Sequence, residues 1–349
     1  MHPQDLLFNL LVLIPAIVLL GAYRQKRCFS PVVALAFGAW VGQWTFVLAD
    51  DLFGVLRNVA WLLFVQLTLG LLVLALLDRW RTMSVVGAVS LVAVGVWAFQ
   101  IEPELLEVSR TRIETSKLSR PLTVAVLADL QTDAPGDYEL GVLRQLAALE
   151  ADLVLLTGDY LQTLTMEDGE REAQKFRELW RAAGVTAPRG VFAVQGDVDP
   201  ARWEARFAGL GIETSSRTTT FLDEELELVG LSLADSRDPR LRLAAPSKFR
   251  LVFGHRPDFA LGGSQGDLLI AGHTHGGQVR VPGYGPLITF SSVPRSWAAG
   301  LTQLASERWL LVSRGVGMER GQAPRLRLFC RPEIALLEIV PSSANEREA

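Results

Sequence analysis

Four long apolar runs before residue 101 constrain the fold more than any other feature of this chain. They cover roughly 5–23, 31–49, 55–77 and 84–100, and each is close to the ~20 residues with which a helix crosses the hydrocarbon core. Buried helices of a soluble protein would carry charged faces at helical spacing, which these runs lack. A cleavable signal peptide is disfavoured because no Lys or Arg precedes the first run. The sequence therefore predicts a multi-pass α-helical membrane region over residues 1–100.

The short loops between the runs indicate how this region is oriented. By the positive-inside rule, loops rich in Lys and Arg face the cytoplasm. Both ends of the region then face away from the cytoplasm, although three basic residues after the fourth run oppose this orientation. We expect an inner-membrane protein whose soluble domain is extracytoplasmic. The loops with basic residues are the first, with Arg24, Lys26 and Arg27, and the third, with Arg79 and Arg81.

Beyond residue 100 the composition changes and the chain divides further. Residues 101–120 are charged and bear Ser and Thr, which predicts a connector that leaves the membrane surface. Residues 121–340 form the predicted soluble domain, and 341–349 form a predicted disordered tail. The net charge of -4 and the pI near 5.7 give no reason to expect nucleic acid as a partner.

Strands and helices alternate from residue 122 onward. Apolar strand-like runs at 122–128, 153–156 and 190–194 are separated by amphipathic helical patterns at 137–149 and 167–183. This alternation predicts an α/β domain in which two packed mixed sheets are flanked by helices. Shorter strands are predicted after residue 211, at 226–231, 249–254, 268–271, 278–281, 309–313 and 326–340.

Polar residues that can bind metal come directly after these strand-like runs. Open α/β sheets place their ligands at the carboxyl ends of their strands. A single Asp in such a place is more often a turn or a helix cap than a ligand, but five such sites in succession are hard to assign to caps alone. The residues are Asp129, Asp159, Asp197, His255 and the pair His273 and His275.

The pair of histidines lies in the stretch Gly272-His273-Thr274-His275-Gly276-Gly277-Gln278, after an apolar run. Imidazole nitrogen is the commonest protein ligand for zinc, iron and manganese, which favours a metal site. The alternative is a polar turn that happens to carry histidine. The chain has only four histidines, and three of them follow strand-like runs, which supports the metal hypothesis.

Five motifs together resemble those of the calcineurin-like metallophosphoesterases, in the same order and with fitting spacing from about residue 121 to 339. Several membrane helices ahead of a His-x-His-Gly-Gly-Gln ending make the chain similar to the membrane-linked bacterial branch of that family. The motifs are Asp129-Leu130-Gln131, Gly158-Asp159, Gly196-Asp197-Val198-Asp199, Gly254-His255 and Gly272-His273-Thr274-His275.

This resemblance implies two divalent metal ions, of Mn, Mg, Fe or Zn, bridged by the Asp159 carboxylate. One ion would be bound by Asp129, Gln131 and His275, and the other by Asp197, His255 and His273. Arg256 and Arg314 would bind the phosphate of a phosphorylated small molecule or a lipid head group, although either arginine can equally be structural.

Four positions depart from the family pattern. Gln131 stands for a His, which shifts metal preference from zinc or iron toward manganese or magnesium. Asp197 stands for an Asn, and Gln162 for an Asp that supports the second motif. Val198 stands for the His that protonates the leaving oxygen, a loss of roughly 10²–10⁴-fold in rate.

An acid would then have to come from Asp133, Asp199 or a water at the metal site. We expect Asp159, Asp197 and Asp199 to be the catalytic carboxylates of a slow phosphoesterase that acts on a phosphodiester or pyrophosphate. A protein that keeps the fold but only binds metal or a phosphorylated ligand is the alternative. A transporter is less favoured, because the membrane helices carry few charged residues.

Overall fold

The structure is a computed structural model that describes residues 3–26, 31–49, 51–77, 81–163, 165–223, 225–263 and 266–342. The chain forms two compact units. The helical unit comprises Met1–Gln100 and Glu319–Arg325, and the α/β unit comprises Ile101–Met318 and Leu326–Ala349. The predicted tail 341–349 lies outside the described residues from residue 343 onward, and its first residue ends a strand.

All four apolar runs are helical in the helical unit. Two helices are long and apolar enough to cross a membrane, Leu52–Leu76 and Arg81–Glu104, and Asp5–Leu19 is a shorter apolar helix. A π-helical turn, Leu62–Leu67, joins α3 to α4, and another, Trp97–Ile101, extends α5. The α-helices are α1 (Pro3–Lys26), α2 (Pro31–Val47), α3 (Leu52–Trp61), α4 (Thr68–Leu77) and α5 (Arg81–Val96).

The few polar side chains of this unit pair with one another between helices. Arg57 Nε lies 2.9 Å from Asp5 Oδ1, and Gln66 Nε2 donates to Asn9 Oδ1 at 2.8 Å. Both pairs join the first apolar run to the third. Polar groups in an apolar surround are costly unless they are paired, and these contacts offset part of that cost.

A first six-stranded sheet carries the Asp-bearing strands of the α/β unit. Its strand order is β1-β14-β2-β3-β4-β5, and it is mixed because only β14 and β2 pair in antiparallel fashion. The strands are β1 (Glu107–Thr115), β2 (Leu122–Leu127), β3 (Leu153–Leu156), β4 (Val191–Val194), β5 (Ile212–Ser215) and β14 (Glu333–Pro341).

A second six-stranded sheet carries the His-bearing strands, in the order β12-β13-β9-β8-β7-β6. Its three central pairings are parallel, and both edge pairings are antiparallel. The strands are β6 (Thr219–Leu222), β7 (Leu226–Gly230), β8 (Phe249–Phe253), β9 (Leu268–Ala271), β12 (Gly300–Ala305) and β13 (Arg308–Val312), and a separate small hairpin consists of β10 (Arg280–Val281) and β11 (Gly285–Pro286).

Alternate residues of the strands fill two different cores. Val124 and Val126 of β2 pack against the second sheet, with partners such as Leu251 of β8. Ala125 and Leu127 face the other way and pack against α6 (Asp137–Ala147) and α7 (Met166–Ala183). A short helix, α8 (Leu233–Arg237), follows β7. The two mixed sheets therefore pack face to face with helices outside, as the sequence predicts.

Two segments differ from the sequence-based expectation. The expected connector 101–120 contains β1, which pairs in parallel with β14 along nine residues. Its charged residues suit an exposed edge strand, and this composition hides the strand in the sequence. The strand expected over 326–340 begins only at Glu333, because Phe329 adopts a left-handed backbone with φ of 54° and Arg327 binds loop carbonyls instead.

Candidate metal centre

The carboxyl ends of five central strands converge at one edge of the α/β unit. Asp129, Asp159 and Asp197 follow β2, β3 and β4 of the first sheet, and His255 and His273 follow β8 and β9 of the second. The backbone turns sharply there, with left-handed φ angles of 48° at Asp129, 56° at Asp159 and 70° at His273. Such conformations are costly for residues other than Gly, and they concentrate at functional sites.

One group of side chains consists of Asp197, His255 and His273, whose possible ligand atoms all lie within 4.8 Å of one another. His273 Nδ1 is 3.0 Å from Asp197 Oδ2, and His255 Nε2 is 3.7 Å from the same oxygen. Two imidazoles and a carboxylate oxygen therefore face one common point.

A second group consists of Asp129, Asp159 and His255, whose possible ligand atoms also lie within 4.8 Å of one another. His255 Nε2 is 3.3 Å from Asp159 Oδ2, and His255 Nδ1 is 3.8 Å from Asp129 Oδ1. Because His255 belongs to both groups, the two groups form one continuous cluster. All three residues are buried.

Backbone carbonyls fix which nitrogen of each imidazole faces the cluster. His255 Nδ1 contacts Thr157 O at 2.9 Å, and His273 Nε2 contacts Phe290 O at 3.0 Å. Carbonyl oxygen only accepts hydrogen bonds, so each of these nitrogens carries a proton. His255 Nε2 and His273 Nδ1 are then the atoms that face the carboxylates, as metal-binding imidazoles require.

The predicted ligands His275 and Gln131 lie at the same edge. His275 is buried, and its Nδ1 has no hydrogen-bond partner within the described residues. Burial lowers the pKa of His275 to about 3, and the nearby charge of Arg327 lowers it as well. Gln131 is fully buried, its backbone N–H donates to Asp159 O at 2.8 Å, and its side-chain Nε2 donates to Gln162 Oε1 at 3.0 Å.

The carboxylates of the cluster compete for positive charge. Burial raises the pKa of Asp129 to about 7, although the charge of His255 opposes this rise. Burial also opposes ionisation of Asp197, but hydrogen bonds with His255 and His273 hold its pKa well below the usual range. Burial lowers the pKa of His255, but the carboxylates of Asp159, Asp197 and Asp129 together outweigh burial and raise this pKa well above its usual value. Without a bound cation, a proton on His255 therefore supplies the positive charge that balances these carboxylates.

The predicted catalytic residue Asp199 lies behind the cluster and is buried. Its Oδ2 accepts hydrogen bonds from the backbone N–H groups of Asp159 and Gly196, both at 2.9 Å. Its Oδ1 lies 3.2 Å from Arg206 Nη1 and also accepts from Tyr160 N. Burial raises the pKa of Asp199 to about 6. These contacts fix the two loops that carry Asp159 and Asp197.

Close backbone approach explains the glycine of the third motif. A Cβ atom on Gly196 would lie 2.1 Å from Asp159 N and 2.2 Å from Asp159 Oδ1. No side chain fits in that space, so any larger residue would push the Asp159 loop out of place. The glycine therefore keeps the carboxylates of β3 and β4 adjacent.

The two predicted phosphate-binding arginines have different surroundings. Arg256 Nη1 is 3.4 Å from Asp197 Oδ2, so this guanidinium borders the cluster. Arg314 forms ion pairs instead, with Glu333 at 2.9 Å and Glu107 at 3.0 Å. Arg314 therefore links the end of β13 to strands β14 and β1, which is a structural role.

Two further arginines were not identified from the sequence. Arg237 of α8 forms an ion pair with Asp197 and is half exposed. It also lines an open groove of about 540 Å³ with Gln195, Arg217 and Ser232. Arg327 is fully buried and donates to the carbonyls of Arg314, Gly315, Gly317 and Cys330. No sequence motif identifies either residue, because the contacts of each arginine depend on how distant parts of the chain fold together.

The donor set fits divalent metal ions. Three carboxylates, three imidazoles and one amide lie at one edge, and oxygen and imidazole ligands together suit manganese, iron, zinc or magnesium. The orphaned Nδ1 of the buried, neutral His275 supports this fit. A water molecule or a substrate oxygen bound at this edge would also face Arg256 and Arg237.

The chain is similar to several known phosphoesterases. Phosphodiesterase YaeI of Escherichia coli (strain K12) is 31% identical over 258 residues, which cover 68% of this chain and 90% of that protein. The uncharacterized metallophosphoesterase YkuE of Bacillus subtilis (strain 168) is 25% identical over 263 residues, 70% of this chain and 88% of that protein.

A third relative is UDP-2,3-diacylglucosamine pyrophosphatase LpxG of Chlamydia trachomatis, which is 25% identical over 311 residues, 69% of this chain and 92% of that protein. No protein-family model matches the chain. With the two-sheet fold and the cluster of Asp and His, these relatives give one conclusion: the chain belongs to the calcineurin-like metallophosphoesterases, a family of hydrolases that act on phosphate esters.

Proposed function

We propose that this chain is a membrane-anchored phosphoesterase that uses two divalent ions to hydrolyse a phosphodiester or a pyrophosphate. The observation that supports the proposal is the presence of two adjacent groups of possible ligands that share His255. A single-metal site would need only one such group.

The family resemblance suggests how the proposed ligands are divided between the two ions. Asp129, Gln131 and His275 would hold one ion, Asp197, His255 and His273 would hold the other, and Asp159 would be shared by both. Bound divalent ions at such a site would lower the pKa of a water and polarise a phosphoryl oxygen.

The chain's own residues supply orientation and charge. Arg256 and Arg237 both pair with Asp197. Their positive charges would also attract the negative charge of a phosphate bound beside Asp197. Asp199 holds the backbone of Asp159 and Gly196 and is a positioning residue. Val198 donates only its backbone N–H, to Asp159 Oδ1 at 2.8 Å, and its side chain has no proton to give to a leaving oxygen.

The missing acid narrows the substrate class. A leaving group of low pKa departs without protonation, so phosphoanhydrides and activated diesters need the acid least. The relatives include a phosphodiesterase and a pyrophosphatase of an acylated sugar nucleotide. The open groove beside Arg237 offers the hydrogen-bonding side chains of Gln195, Arg217 and Ser232 to a leaving group such as a sugar or a nucleotide.

The direct test uses the purified full chain in detergent with Mn²⁺ and an aryl phosphodiester. We expect turnover, and we expect Asp159→Ala to abolish it. Asp168 is a partly exposed carboxylate on α7 that pairs with Arg171, and Asp168→Ala is the matched control that retains the rate. A wild-type rate no higher than that of Asp159→Ala would contradict the proposal.

We further propose that the helical unit anchors the protein in the inner membrane as four spans and leaves the α/β unit outside the cytoplasm. Two candidate spans and the basic loops support this placement. Fusing alkaline phosphatase to the carboxyl end gives an active reporter if the placement is right, whereas a fused green fluorescent protein would be bright if it is wrong.

A second candidate function is recognition of a phosphorylated ligand with little turnover. The absence of a proton donor at Val198 and the neutral Gln131 favour it. Metal analysis of the purified chain separates the two candidates, because catalysis needs about two ions per chain. One ion or none, together with tight binding of inorganic phosphate, would favour recognition.

A further inference from the structure

Exposed apolar side chains gather in one short segment beside the metal centre. In the described part of the α/β unit nine large apolar side chains are exposed, and four of them fall within ten consecutive residues. Their exposed fractions are 41% for Val281, 56% for Tyr284, 53% for Leu287 and 41% for Phe290. Single exposed apolar residues are ordinary, but such a concentration marks an interaction surface.

These side chains are presented by a defined backbone. We call residues 280–290 the rim hairpin, since it begins with the β10–β11 pair, Arg280 with Pro286 and Val281 with Gly285. Leu287 N donates to Val279 O, and Tyr284 N donates to Val281 O at 3.0 Å. The four apolar side chains are therefore exposed by the fold of the hairpin itself.

The rim hairpin is attached directly to the metal centre. Phe290 O accepts hydrogen bonds from His273 Nε2 at 3.0 Å and from Arg256. At its other end, a Cβ on Gly277 would lie only 2.4 Å from Pro286 Cβ, so β11 returns against the His-x-His-Gly-Gly loop. A partner that binds the rim hairpin is therefore close to Asp197, Arg256 and Arg237.

The charge of this part of the chain is one-sided. No Asp or Glu occurs from Leu268 to Ser306, and the charged residues there are Arg280 and Arg295. The Arg295 guanidinium lies 4.0 Å from the centre of the Tyr284 ring. The whole chain has a net charge of -4, so the rim hairpin is a basic and apolar exception.

Aliphatic, aromatic and basic side chains in one exposed hairpin match a lipid-water interface. Leu and Phe enter the acyl region, Tyr lies at head-group depth, and Arg pairs with anionic head groups. A protein partner could bury Tyr284 whether or not the segment itself lacked Asp and Glu. The charge pattern therefore favours an anionic lipid surface as the partner.

We propose that the rim hairpin inserts into an anionic lipid surface and that the substrate is a phosphodiester or pyrophosphate carried by a lipid of that surface. The proposal rests on the phosphoesterase function proposed above. Insertion of Leu287 and Phe290 would place head-group phosphates beside Arg256, where the site can bind them.

The first test reports insertion without activity. The full chain with Cys28→Ser and Leu287→Cys carries a polarity-sensitive fluorophore at position 287, while Cys330 is buried. In proteoliposomes with phosphatidylglycerol we expect a blue shift and quenching by spin-labelled lipid. Leu222→Cys, exposed on β6, is the matched control and stays aqueous. A label at 287 that behaves as the label at 222 would overturn the proposal.

The second test separates the surface from the chemistry. The full chain is given a soluble aryl phosphodiester and a head-group-labelled phospholipid in phosphatidylglycerol vesicles. Leu287→Asp should lower the ratio of lipid rate to soluble rate at least tenfold, whereas Leu222→Asp should not change this ratio. Turnover of the soluble ester alone by the wild type overturns the lipid substrate. Turnover of neither overturns the phosphoesterase function, and the fluorescent label still decides the surface.

Discussion

Nε2 of Gln131 donates a 3.0 Å hydrogen bond to Oε1 of Gln162. Both residues depart from the family pattern, and the structure brings the two departures into contact. The pair joins the loop after β2 to the loop after β3, beside the backbone bond from Gln131 N to Asp159 O. A neutral amide pair therefore stands where the family pattern has a His and an Asp, and the two substitutions are best tested together.

We expect Gln162→Ala to weaken metal binding about 10- to 100-fold, because residues that orient a ligand have effects of this size. Gln131→His should shift the preference from manganese toward zinc, and Gln162→Asp should strengthen that shift by orienting the new imidazole. Calorimetric titration of the metal-free chain with each ion measures both effects.

The exposed Gln174 on α7 supplies the control, since Gln174→Ala should leave both affinities unchanged. If the double variant binds zinc no better than the sum of the single changes predicts, the two positions are not coupled.

Val198→His should raise kcat for an alkyl phosphodiester by up to about 10²–10⁴-fold, because it supplies the missing proton donor. The backbone N–H of residue 198 still reaches Asp159 Oδ1, so the loop should tolerate the change. A nitrophenyl ester, whose leaving group needs no proton, should gain little. Steady-state rates against pH measure this, and a new decline at high pH marks the acid.

Val198→Asn is the control of similar size without an acid, and it should show no gain. A chain that gains nothing from Val198→His while binding metal normally would show that the proton donor is not what limits the rate.

Most of the site could be predicted from sequence because its ligands end strands. Asp129, Asp159, Asp197, His255 and His273 each follow an apolar run, and strand ends in packed parallel sheets meet at one edge. The structure brings these five together. Their assignment to particular ions stays a prediction.

What the sequence did not reveal depends on contacts between distant residues. Arg314 lies in a Ser-Arg-Gly triplet directly after β13, yet its guanidinium pairs with Glu107, more than 200 positions earlier in the chain. Strand β1, which carries Glu107, has no apolar alternation because one edge of it is exposed. Arg237 of α8 contacts Asp197, which lies 40 positions earlier in the chain. None of these contacts follows from local pattern.

The metal-free protein should lose stability as pH rises from about 6.5 to 8. The pKa of His255 is raised on folding, so its stabilisation is present below its unfolded pKa of about 6.5 and is lost above it. The pKa of Asp129, raised to about 7, acts in the same direction from about pH 4 to 7. His275, whose pKa is lowered to about 3, opposes this only below about pH 6.5.

Divalent ions bind the deprotonated site, so the rise in Tm on adding Mn²⁺ should be larger at pH 8 than at pH 6. Thermal unfolding of the full chain in detergent, followed by fluorescence, measures it. His255→Asn should remove most of the pH dependence above pH 6.5. An equal shift in Tm at both pH values would argue against proton displacement from this cluster.

Asp199→Ala should destabilise the α/β unit by about 3–5 kcal/mol, the usual cost of breaking a buried ion pair. It removes the acceptor of three backbone N–H groups and leaves Arg206 without its partner. Asp199→Asn should cost less. Denaturant unfolding gives the free energies, and the pH-rate profile tests the competing role. Loss of the decline in rate at high pH in Asp199→Asn, without loss of stability, would make Asp199 the general acid.

Arg256 and Arg314 should respond to substitution in opposite ways, although sequence treats them alike. Arg256 borders Asp197. Arg256→Ala should therefore lower kcat/KM for a phosphodiester about 10- to 100-fold, which is the usual effect of losing one or two charge-assisted hydrogen bonds. The same variant should change Tm little. Arg314 is half-buried between Glu333 and Glu107, so Arg314→Ala should lower Tm and leave KM nearly unchanged. Arg314→Lys should recover part of the stability, because it restores the charge without the fork of two hydrogen bonds. If Arg314→Ala raised KM at unchanged Tm, the structural role would be wrong. The guanidinium of Arg314 would then leave Glu333 and Glu107 when substrate binds and would contact the phosphate instead.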